Sequence, residues 1–185
     1  MDPGTIIIIA VIVVAVLAIA WFVTRRRRSE ALRQRFGPEY ERTVREQGPA
    51  RAESELLERK QRVDKFSIRE LGAAERERFI TEWRAVQARF VDDPKGSVSE
   101  ADNLVTRVMQ ARGYPMSDFE QRAADISVDH PRVVDNYRAA HEIALRHRRG
   151  EATTEDMRNA IIYYRSLFEE LLQIQSSNQR VREVA

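Results

Sequence analysis

Thr153-Thr154-Glu155-Asp156-Met157-Arg158-Asn159-Ala160-Ile161-Ile162-Tyr163-Tyr164-Arg165-Ser166-Leu167-Phe168-Glu169-Glu170-Leu171 is the stretch that decides the fold class. Its apolar residues Met157, Ala160, Ile161, Tyr164, Leu167, Phe168 and Leu171 recur three and four apart. That spacing brings side chains to one face of a helix turning once per about 3.6 residues. Thr153 with Asp156 resembles a capping box in a weaker Asp form, each side chain taking the other's free backbone N–H. A stripe this broad needs a partner surface, so the helix belongs in a bundle.

The neighbouring segments repeat the pattern. Upstream, Val133, Val134, Tyr137, Ala140, His141 and Ala144 line the inner face of a helix that starts at Asp129-His130-Pro131, with Gly150 as its C-cap. Ser117 with Glu120 reads as a capping box for a short helix through Phe119, Ala123 and Ile126. Ser97 with Glu100 reads likewise for a longer one through Ala101, Leu104, Val105, Val108 and Met109, stopped by Gly113-Tyr114-Pro115. Over residues 73–91, Phe79, Trp83, Val86 and Phe90 share a helical face before Asp92-Asp93-Pro94 ends the run. No alternating strand pattern of useful length occurs. The expected fold is all-α, with a small helical bundle over residues 73–172 and a polar, fraying tail over 173–185.

The N-terminal region has a different character. After a short segment over residues 1–5, every residue from 6 to 23 is apolar. Those 18 residues span about 27 Å as a helix, close to the hydrocarbon thickness of a bilayer. A transmembrane helix is expected there, ahead of the bundle, with the lipid bilayer as its surroundings. Trp21 and Phe22 fall where aromatic rings sit at headgroup level, and Arg25, Arg26, Arg27 and Arg28 complete the membrane interface. Ala18-Ile19-Ala20 has the form of a signal-peptide cleavage site, but residues 1–5 carry Asp2 and no basic side chain, whereas a signal peptide places positive charge ahead of its apolar stretch. The four arginines favour a single-pass orientation with the N-terminus outside and the C-terminal domain in the cytoplasm. Ala10, Ala15, Ala18 and Ala20 never stand four apart, so the span reads as a tether without a close-packing dimer face.

Residues 24–72 then form a basic flank and a membrane-proximal helical linker. Gly37-Pro38 and Gly48-Pro49 make two hinges, separating helices expected over about 38–46 and 50–66. The second is highly charged and leaves only a narrow stripe with Leu56, Leu57, Val63 and Phe66. Phe36 and Tyr40 flank the first hinge. Three fates stand open for them: folding back onto the bundle, docking a protein partner, or touching lipid. They are the candidate partner contacts.

Charge excludes one class of partner. The chain has 31 basic and 29 acidic residues; without the four clustered arginines and Asp2, 27 basic face 28 acidic. A near-neutral domain offers no surface to track nucleic acid phosphates. The absence of cysteine excludes disulfides, thiolate metal sites and Cys nucleophiles. Of the three histidines, His141 and His147 stand six apart, about 240° around a helix, and His130 reads as a helix-start residue, so no metal site is expected. Asp92, Asp93, Asp125 and Asp129 fall at expected helix ends, where aspartate accepts backbone hydrogen bonds. No nucleophile elbow, phosphate loop or dinucleotide fingerprint occurs. No catalytic residue and no cofactor are expected.

Three strings carry a resemblance: Arg35-Phe36-Gly37-Pro38-Glu39-Tyr40-Glu41-Arg42-Thr43, Trp83-Arg84-Ala85-Val86-Gln87-Ala88-Arg89-Phe90-Val91-Asp92-Asp93-Pro94, and Asp118-Phe119-Glu120-Gln121-Arg122-Ala123-Ala124-Asp125. In these the chain resembles an uncharacterised family of bacterial single-pass membrane proteins. The resemblance implies a bacterial, membrane-tethered protein and brings no catalytic residues with it. The expected function is that of a non-enzymatic, membrane-tethered helical interaction or scaffold protein of a bacterial cell envelope, acting with a protein partner. Two alternatives stand beside it: an extracytoplasmic envelope protein exported by an N-terminal signal sequence, and an enzyme or small-ligand sensor whose site is hidden in the bundle.

Overall fold

A computed structural model describes residues 3–173, with side chains from residue 12 onward; residues 1–2 and the tail beyond Gln173 lie outside it. Among the described residues there are eight helices and no strand: α1 (Pro3–Phe36), α2 (Pro38–Gln47), α3 (Pro49–Val63), α4 (Ala73–Arg89), α5 (Pro94–Arg112), α6 (Phe119–Asp129), α7 (Val134–Arg148) and α8 (Thr154–Leu171). They divide into two compact units, Met1–Leu57 and Glu58–Ala185.

The second unit is built around α8, which packs against both α7 and α5, while α4 covers α5. All seven stripe residues of α8 are buried. Phe168 stacks on Trp83 of α4, with ring centroids 4.8 Å apart, and Tyr164 meets Tyr137 of α7 edge-on at 6.4 Å. Burying a large apolar side chain stabilises by roughly 1.5–3 kcal/mol, and a well-placed aromatic pair adds about 0.5–1.5 kcal/mol. The Tyr164 hydroxyl donates to Asp102 Oδ1 at 2.9 Å, so this fully buried ring keeps its polar end satisfied. At the start of α8 the Thr153–Asp156 capping box is present in both directions.

Other helix starts differ from the expected ones. α5 begins at Pro94 and is capped by Asp93, whose Oδ1 accepts the Gly96 N–H at 2.9 Å. Proline at the first helical position has φ already set and no N–H to satisfy, so it fixes the start three residues before Ser97. Ser97 is buried, and Glu100 pairs with Arg89 instead of capping. α6 is capped by Asp118, which accepts from Gln121 N, in place of Ser117. His130 ends α6, and α7 begins at Val134. Asp125 therefore lies inside a helix, not at its end.

Between α3 and α4 the chain runs without helix over residues 67–72 and is pinned to the end of α5. Arg69 N donates to Arg112 O at 2.9 Å, and Gly113 stands at φ +98° with the Ser67 carbonyl oxygen 2.5 Å from where a Cβ would be. Only glycine fits both the left-handed backbone and that approach.

In the first unit, α1 is one helix from Pro3 to Phe36. Its residues Ile12, Leu17, Trp21 and Phe22 are all more than half exposed. Further along, Leu32 and Phe36 are buried, as are Tyr40 of α2 and Ala52 and Leu56 of α3. The Tyr40 hydroxyl donates to Glu53 Oε1 at 3.1 Å and lies 3.0 Å from Ser29 Oγ, so Ser29 supplies the proton of that second bond. This chain of hydroxyls ties α1, α2 and α3 together across the two Gly-Pro breaks. Among the described residues no helix is long and apolar enough to cross a membrane. Residues 6–11 of the expected span lie outside the described side chains.

Candidate functional site

Among the described residues, two clusters of polar side chains adjoin a groove. The first lies on α1. Trp21, Thr24, Arg25 and Arg28 are spaced three, four and seven apart and so occupy one helical face. The Arg25 guanidinium sits 5.2 Å from the Trp21 ring centroid, a cation–π arrangement, and the Thr24 hydroxyl is turned back to the carbonyls of Ala20 and Trp21 at 2.9 Å each. Arg26 pairs with Glu30 at 3.2 Å; Arg25, Arg27 and Arg28 have no carboxylate partner among the described residues. Opposite this face, Ala50, Glu53 and Ser54 from the first turns of α3 close a groove of about 510 Å³. Phe22 is exposed.

The structure places Phe36 and Tyr40 away from the surface. Phe36 is fully buried and Tyr40 is 7% exposed, so a partner reaches either only by opening the first unit. Beside them Glu39 is also fully buried, with Arg42 Nε 3.3 Å from its carboxylate. Ala52 and Leu56 of α3 are buried in the same unit, and of the two only Leu56 carries a strong hydrophobic signal in the sequence.

The second place is at the end of α6. Arg112 of α5, 6% exposed, donates from Nε to Arg69 O at 3.3 Å and from Nη1 to Leu171 O at 3.1 Å, and Nη1 also lies 3.2 Å from His130 Nε2. A guanidinium carries no acceptor, so His130 Nε2 must be the unprotonated nitrogen and Nδ1 carries the proton. Nδ1 faces Glu170 Oε1 at 3.2 Å. Burial is the main cause that lowers the His130 pKa; the Glu170 hydrogen bond opposes it and the Arg112 charge adds to it. The imidazole is therefore neutral near pH 7. Beside it the Tyr114 hydroxyl donates to Asp129 Oδ2 at 2.7 Å. A shallow groove of about 270 Å³ adjoins His130 and Glu170, and both ring nitrogens are engaged by protein groups.

The remaining sequence candidates have structural surroundings. Asp125, 2% exposed, is held by Arg62 Nη2 at 2.8 Å and Gln121 Nε2 at 2.9 Å. His141 stacks on Phe119 with ring centroids 3.6 Å apart. Nothing local in the sequence marks Arg112; only the packing of α5 beside α8 gives it a role.

Compared with protein-family models, with curated proteins and with solved structures, the chain matches none.

Proposed function

We propose that this chain is a non-enzymatic, membrane-tethered helical protein of a bacterial envelope. It crosses the bilayer once through α1 and holds its helical units on the cytoplasmic side as a platform for a protein partner. The course of α1 carries this reading. Its apolar side chains from Ile12 to Val23 are exposed, arginines follow at once, and the same helix runs on without a break to the buried Leu32 and Phe36. An apolar surface exposed all round needs an apolar surrounding, which lipid tails supply, and basic residues beside it suit the cytoplasmic leaflet. Phe36 lies fifteen positions beyond Trp21, about 22 Å along the axis, so the anchor passes into the first unit with no intervening linker.

The non-enzymatic part is supported by His130, which is fixed between a guanidinium and a carboxylate. Alkaline carbonate extraction of membranes from expressing cells tests the tether. The full chain should remain in the pellet, and its release into the supernatant would refute the reading.

A further inference from the structure

We infer that the groove between the Trp21–Arg28 face of α1 and the start of α3 binds the phosphodiester headgroup of an anionic phospholipid bearing hydroxyl groups, of the phosphatidylglycerol type. This rests on the membrane reading above and adds a defined site to it. The cavity of about 510 Å³ has room for a headgroup. Its two arginines have no carboxylate partner among the described residues, and one is held over Trp21 at 5.2 Å. Two guanidiniums against the single carboxylate of Glu53 leave one net positive charge, equal and opposite to that of a phosphodiester. Guanidinium forks are suited to phosphate oxygens.

Position agrees with charge. Trp21 to Arg28 covers about 10 Å along the helix, comparable to a headgroup layer of roughly 5–8 Å just outside the hydrocarbon. Glu53, its Oε1 already accepting from Tyr40 at 3.1 Å, retains acceptor capacity for headgroup hydroxyls. A choline headgroup has no hydroxyl or N–H to donate there, so the groove distinguishes the two. Arg27 does not line the groove, and Arg26 is paired with Glu30, so the four arginines are not equivalent.

Native mass spectrometry of the full chain, released from detergent mixed with equal amounts of phosphatidylglycerol and phosphatidylcholine, tests the assignment. The wild type should retain phosphatidylglycerol preferentially. Arg25→Gln with Arg28→Gln should lower that retention about tenfold or more, while Arg26→Gln with Arg27→Gln, which removes the same charge outside the groove, should leave it nearly unchanged. Equal loss in both double variants would reduce the effect to overall charge and overturn the site. Retention abolished by inorganic phosphate would assign the groove to soluble phosphate and overturn the lipid. A wild type that enters reconstituted vesicles but shows no preference overturns the site alone; one that enters no vesicle overturns the membrane reading with it.

Discussion

Arg112 and His130 face each other at 3.2 Å, Nη1 to Nε2, and this contact sets which ring nitrogen of the histidine carries the proton. Burial pushes the His130 pKa below its ordinary value, so the native state binds fewer protons than the unfolded chain once the pH falls through about 6.5. The stability this represents is fully present above that pH and is lost as the pH falls further. Thermal melts of the wild type should drop between pH 7 and 5.5. His130→Gln should flatten that slope without abolishing it, because His141 is lowered by burial in the same direction. An unchanged slope in the variant would separate His130 from the effect.

Arg112 also serves two carbonyls, those of Arg69 and Leu171. Arg112→Met keeps the bulk but orphans buried acceptors that cost about 1–3 kcal/mol each when unsatisfied. A loss of about 2–5 kcal/mol in denaturant unfolding is expected.

Gly113 and Gly150 form an internal control. Both have positive φ, at +98° and +76°, but a Cβ at Gly113 would meet Ser67 O at 2.5 Å, whereas nothing lies within 4 Å at Gly150. Gly150→Ala should cost about 1 kcal/mol from backbone strain alone. Gly113→Ala should cost about 2–3 kcal/mol, since the connector must also move. Equal melting temperatures for the two variants would contradict the close approach.

Trp83 and Phe168 stack at 4.8 Å in the centre of the second unit. Trp83→Ala and Phe168→Ala should each destabilise by about 3–5 kcal/mol, and the double-mutant cycle should return a coupling near 0.5–1.5 kcal/mol. Additive losses would show that the two rings pack independently.

Tyr40→Phe keeps the ring and removes the hydroxyl that joins Ser29 to Glu53. The first unit should lose about 0.5–1.5 kcal/mol. Faster amide exchange in α2, with α8 unaffected, would locate that loss.

The sequence made α8 legible because one element carried both signals, a cap at Thr153 and a seven-residue apolar face. At the start of α5 two capping residues stand close together in the sequence, and Pro94 decides for Asp93 over Ser97. The fate of Phe36 and Tyr40 is not legible, since their burial depends on helices folding back across glycine turns, a tertiary arrangement that no local pattern encodes. The Arg112–His130–Glu170 cluster joins residues 40 and more positions apart at its extremes, through helix packing that no local pattern encodes.

The absence of native cysteine makes one labelling experiment decisive for the proposed tether and its orientation. Ser99 is exposed on α5, so Ser99→Cys places a single thiol on the bundle surface. Spheroplasts of expressing cells are treated with a membrane-impermeant maleimide before and after permeabilisation, and the label is followed in the membrane fraction. The account predicts membrane-bound protein labelled only after permeabilisation. Labelling in intact spheroplasts, or recovery of the labelled chain outside the membrane fraction, would contradict it.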